Sequence, residues 1–150
     1  MIEVSRVVPV PPETVFDVLA DGWSYAGWVV GSSHIRAVDD GWPAEGARIH
    51  HSVGAWPLQL EDTTSVQAVV PRVSLFLEAR GGILGTADIT IILAPHGDGE
   101  TLVRMAETVR TGIGGLLPES LQRLLLSPRN EESLARLSDL AAGRAGRSQP

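Results

Sequence analysis

The sequence predicts an α+β fold: a curved antiparallel sheet wrapped around its last helix. Three observations carry that expectation. The front end reads strand, proline step, short helix, then a second short helix ending in tryptophan: IEVSRVVPV-PPETVFDVLAD-GWSYAGWVVG. Long β segments follow, with no helical pattern between them. The chain then closes on a leucine-striped helical stretch. A sheet that grips a helix in this way is a container.

The elements follow in order. Ile2, Val4 and Val8 alternate on one face of a first strand over residues 2–10. Pro9, Pro11 and Pro12 stop it and pre-set a helix start. Val15, Val18 and Leu19 recur at helical spacing beside Phe16, until Asp21-Gly22 ends the turn. Tyr25 and Trp28 share a face of the next short helix, three residues apart. Strands are expected over residues 33–39, 46–53, 58–70, 73–79, 84–93 and 101–111. Asp40-Gly41, Gly81-Gly82 and His96-Gly97-Asp98-Gly99 supply turns. On the third expected strand Ala47, Ile49, His51 and Val53 alternate with Arg48, His50 and Ser52. Leu58, Leu60, Val66, Ala68 and Val70 share a phase, as do Ala87, Ile89, Ile91 and Leu93, and Val103, Met105, Glu107 and Val109. Gly112, Gly114 and Gly115 make a flexible joint. A helical stripe begins at Leu117, Leu121, Leu124 and Leu125 and continues at Leu134, Leu137, Leu140 and Ala141. Pro128 is expected to kink or split this helix, with Ser127 as a cap. Residues 1–142 read as one domain and 143–150 as a flexible tail.

Composition narrows the function classes. A chain of 150 residues can bury a core without staples. The absence of cysteine excludes disulfides and thiolate metal sites. A net charge of −6 argues against a nucleic-acid surface. The first residues already alternate as a strand, unlike a signal peptide, and no apolar run reaches the ~18 residues of a membrane span. The expectation is a cytoplasmic protein with no membrane span and no cofactor. All 12 basic residues are Arg, a bias that points to a GC-rich bacterial genome.

Several segments carry a family resemblance. VPPETVFDVLAD at positions 10–21 opens it. Tyr25-Ala26-Gly27-Trp28-Val29 matches a tyrosine, two residues, tryptophan pattern, and Glu45-Gly46-Ala47-Arg48-Ile49 a strand opening. Arg129-Asn130-Glu131-Glu132-Ser133-Leu134, with Leu137, is similar to a closing helix. Together they resemble the polyketide cyclase/dehydrase and lipid-transport family of the START-like (Bet v 1-like, SRPBCC) superfamily. The resemblance implies a helix-grip fold of seven antiparallel strands curled around a C-terminal helix, with a cavity between them. It implies binding of apolar or aromatic small molecules, or cyclisation and dehydration of polyketides. It fixes no catalytic residue.

The candidate chemistry lies on the inward phases. His50 and His51 are adjacent on a strand, so they point to opposite faces and cannot share a metal ion. No other histidine spacing suggests a metal site. His51 is the inward one, either a core histidine satisfied by a neighbour or a ligand contact. Glu107 sits on an apolar phase, either paired with an arginine or tuned for acid/base work. Asp62 shares the phase of Leu60 and Val66, and reads first as a strand bend or sheet-edge position. Arg80 or Arg104 could anchor a ligand anion, or lie solvated on the outer face. Trp28 is both core and pocket edge, and Trp56 is an entrance or surface residue. Trp23, Trp42 and Tyr25 read as packing.

The expected pocket is lined by Trp28, Ile49, His51, Val66, Ala68, Ile89, Ile91, Met105, Glu107, Leu121 and Leu125, with Glu107 and His51 as candidate catalytic groups. The leading function is a carrier or sensor for a small hydrophobic molecule. The rival is a polyketide aromatase/cyclase, which needs at least two convergent polar groups. A third reading is a protein-interaction module using Trp56. The sequence leaves oligomeric state open.

Overall fold

The computed structural model describes residues 1–53, 60–81 and 85–148. Trp56, the start of the expected strand at Leu58 and the second glycine of the Gly81-Gly82 turn lie outside the described residues. Seven strands form one antiparallel sheet: β1 (Ile2–Val8), β2 (Ser32–Val38), β3 (Arg48–Val53), β4 (Leu60–Val70), β5 (Ser74–Arg80), β6 (Thr86–His96) and β7 (Glu100–Val109). Their order is β1-β7-β6-β5-β4-β3-β2, so β2 to β7 form a meander and β1 closes the far edge against β7.

Two helices bridge β1 and β2. The first, α1 (Pro12–Leu19), starts from extended Pro11 and carries Pro12 in its first turn, where a missing N–H costs nothing. It buries Val15, Phe16, Val18 and Leu19. Trp42 Nε1 donates to the Leu19 carbonyl at 3.0 Å, satisfying an end group of α1. A 3₁₀ turn over Gly22–Ser24 leads into α2 (Tyr25–Trp28). Trp23, expected to pack, is 61% exposed instead.

The glycine joint is helical rather than loose: α3 spans Gly112–Gly115. The last helix, α4 (Glu119–Ser148), runs unbroken through Pro128, which the sequence reading expects to kink or split it. It also continues past Gly143, where a tail was expected. Its buried positions are Asn130, Ser133, Leu134, Leu137, Ser138 and Ala141, one helical face. Leu134, Leu137 and Ala141 join a core with Ile49, Val66, Ile91, Val103 and Met105, so α4 covers the inner face of the sheet. No helix among the described residues is long and apolar enough to cross a membrane.

Three expected lining positions are corrected by this geometry. The phase of α4 that contains Asn130, Leu134 and Leu137 extends back to Leu126, not to Leu121 or Leu125. Those two leucines are 38% and 56% exposed. On β4 the pairing register with β5 slips between Val66 and Ala68. This irregularity turns Ala68 outward, while Val66 stays buried.

Candidate functional site

A cavity of about 340 Å³ lies between the sheet and the first half of α4, which contributes Leu126 and Arg129. Ile89, Ala87, Val109, Val29 and Leu126 give it apolar walls. Gly85 lines it with φ +107, and a Cβ there would collide with the Thr111 backbone, so only glycine fits. Most of the polar lining falls into two groups, with Ser32 and Thr86 apart from them.

The first group comes from α2, β3 and β4. His51 and Asp62 are direct cross-strand partners, and both line the cavity. His51 is 4% exposed. Its Nε2 lies 2.8 Å from Thr64 Oγ1, whose other neighbour is the Tyr25 hydroxyl at 3.4 Å. Its Nδ1 is buried without a partner among the described residues. Burial, aided by the charge of Arg36, pushes the imidazole down to about 4, so the ring is neutral at pH 7. Burial likewise pushes the Tyr25 phenol up. The Tyr25 ring stacks at 5.4 Å on His51 and edge-on at 5.4 Å on Trp28, which backs it from the core.

Asp62 completes this group. Only 9% of it is exposed, and its Oδ1 accepts the Thr63 backbone N–H at 2.8 Å. Burial outweighs that bond and raises the carboxyl from 3.8 to about 6.

The second group joins β7 to α4. Arg129 Nη1 donates to both Glu107 oxygens, at 3.2 and 3.4 Å, and Asn130 Nδ2 adds a third contact at 3.3 Å. Arg129 Nε also holds the Val30 carbonyl at 2.9 Å, while the Val30 N–H donates to Ser133 Oγ at 3.1 Å. The chain after α2 is therefore clamped to α4 beside the cavity. A carboxylate this buried is tolerable because its charge is matched.

Of the residues expected to line the pocket, His51, Ile89 and Glu107 do so. Trp28, Ile49, Val66, Ile91 and Met105 are core residues behind the lining. Arg80 and Arg104 are exposed, with Arg80 paired to Glu78. The sequence reading missed Arg129 and Tyr25, and took Asp62 for a bend. Arg129 carries a signal in hindsight, since it falls four residues before Ser133 on the buried face of α4. Among the described residues no group of three or more His, Asp or Glu could hold a metal ion.

A family described as "Polyketide cyclase / dehydrase and lipid transport" matches residues 1–142. No curated protein matches the sequence. Among solved structures, protein CV1439 from Chromobacterium violaceum is similar at 20% identity and TM-score 0.67, covering 93% of this chain and 95% of that one. The Zhui aromatase/cyclase from Streptomyces sp. R1128 is similar at 18% identity and TM-score 0.63, covering 97% and 93%. Ara h 8.0201 is similar at 15% identity and TM-score 0.70, covering 94% and 96%. These likenesses establish the helix-grip fold that the sequence resemblance implies.

Proposed function

The chain belongs to the polyketide cyclase/dehydrase and lipid-transport family, and we propose that it binds a small, mostly apolar molecule in the cavity beneath α4, as a carrier or sensor. One observation carries this reading: an otherwise apolar cavity of about 340 Å³ has a few polar groups built into its walls. That composition is the ordinary make-up of a small-molecule site, at the small end of the ~300–1,000 Å³ range. The apolar walls supply affinity and the polar groups fix orientation. The occupant is a small hydrophobic or aromatic compound.

The test is a thermal-shift panel of flat aromatic and linear apolar compounds. A binder at a hundredfold excess over its Kd should stabilise the protein by about 2.7 kcal/mol, seen as a rise in Tm. A panel without any shift overturns the binding reading.

A second reading, an aromatase/cyclase, is supported by Asp62. A carboxyl with a pKa of about 6, facing a cavity, is suited to taking and returning a proton near neutral pH. Glu107 is less suited, because Arg129 and Asn130 already occupy its oxygens. The cavity polar groups exceed the two that cyclisation requires. Incubating the protein with a poly-β-keto thioester and reading products by mass should then show cyclised, dehydrated species. Asp62→Asn should lower their rate by roughly 10²–10⁴. No product above the spontaneous background removes this second reading.

A further inference from the structure

Three of the polar groups set into the cavity wall are unequally bonded. Glu107 is matched by Arg129 and Asn130. His51 is a neutral ring held by Thr64. Asp62 differs from both. One of its oxygens takes the Thr63 N–H, and its other oxygen, Oδ2, has no hydrogen-bond or ion-pair partner among the described residues. The nearby cation, Arg36, donates to the Asp62 backbone carbonyl at 3.4 Å and not to its carboxylate, so burial and the Thr63 N–H dominate at the carboxyl. The residue is nonetheless only 9% exposed, and it lines the cavity. Oδ2 is also not among the enclosed side-chain atoms that lack a partner, which are Ser32 Oγ, His51 Nδ1 and Asn130 Oδ1 among the described residues. The free oxygen therefore opens onto the cavity.

We infer that Asp62 is the recognition group of the cavity, and that the occupant carries a hydrogen-bond donor on its apolar body, a protonated amine in preference to a hydroxyl. The inference rests on the binding reading above and names its ligand class.

The charge count supports the preference. Glu107 and Arg129 cancel, His51 is neutral at pH 7, and Tyr25 is held in its phenol form by burial. Arg36 is engaged by the backbone carbonyls of His51 and Asp62, so an ionised Asp62 is the cavity carboxylate without a cation bonded to its oxygens. An ammonium group both completes the bonding of Oδ2 and neutralises the carboxylate between mostly apolar walls, where a charge-assisted bond is stronger than in water. A hydroxyl completes the bonding only. A carboxylate ligand meets like charge and finds Arg129 already engaged. The Tyr25 and His51 rings form the adjacent wall, against which a flat body can lie.

Four naphthalene probes of nearly equal shape separate the possibilities: 2-naphthylmethylamine, 2-naphthalenemethanol, 2-ethylnaphthalene and 2-naphthoate. Their affinities are measured calorimetrically at pH 8, with wild type and Asp62→Asn. In wild type the amine should bind roughly tenfold or more tighter than ethylnaphthalene, with the alcohol between them and naphthoate weakest. In Asp62→Asn the amine-to-ethylnaphthalene ratio should fall toward one, and naphthoate should recover. Asp62→Ser gives the same ratio test if the Asn variant does not fold. Ethylnaphthalene binding as tightly as the amine, or an amine advantage that survives both variants, overturns this inference and leaves the binding reading intact. Failure of all four probes to bind wild type overturns both.

Discussion

At the scale of single residues, the cavity wall sets two titrations against each other. Burial raises the Asp62 carboxyl from 3.8 to about 6. Below about pH 4 it is protonated in folded and unfolded chains alike, so its burial costs nothing electrostatic. As pH rises, the unfolded chain ionises first, and stability falls until the folded group ionises near pH 6. Asp62→Asn should therefore melt several degrees above wild type at pH 8, and that difference should vanish below pH 4 in a pH series of melting curves. An Asn variant that is less stable at pH 8 contradicts the assignment. His51 runs the other way. Its folded value of about 4 lies below the ordinary 6.5, so acid removes stability across that window as the unfolded ring takes a proton first. His51 and Glu107 were legible in the sequence because each is a polar residue on an apolar strand phase. Arg129 was not, because a long polar side chain on a helix reads as solvated surface until the helix is docked. Tyr25 reads as packing because a buried aromatic does both jobs with one ring.

At the scale of elements, most of the strand pattern was readable because alternation survives wherever one face is buried. The exceptions share a cause: a local irregularity leaves no trace in a period-two pattern. On β4 the register slip after Val66 reverses the facing of Ala68. Two substitutions check it. Val66→Ala should cost about 1.5–3 kcal/mol in urea unfolding, since it empties a fully packed position. Ala68→Asp should stay within ~0.5 kcal/mol, as surface changes do. A large loss at position 68 contradicts the slip. On α4 the leucine stripe misled because leucine counts mark apolarity, not facing. Leu121, Leu124 and Leu125 point away from the sheet, while the buried face includes Asn130, Ser133 and Ser138. Polar residues on the docked face are what the cavity requires, and they obscure the helical phase in the sequence. Pro128 is accommodated within α4.

At the scale of the whole molecule, the container architecture was legible because helix pair, strand run and late helix occur in an order with few compact solutions. The cavity's chemistry was less so, because it is assembled from α2, β3, β4, β7 and α4, which only the fold brings together. The pairing of β1 with β7 has a further consequence, one of timing. Strands β2 to β7 each pair with a neighbour next in sequence, so the meander can zip up as it leaves the ribosome. Ile2, by contrast, must find Glu107, and Val8 must find Thr101. The first strand made thus waits for the last, across a loop of about a hundred residues whose closure entropy must be met in one step. Until then one edge of β7 stays unpaired and open to foreign strands. Glu107 sits on that edge, so the residue that ties α4 to the sheet is secured only late in synthesis.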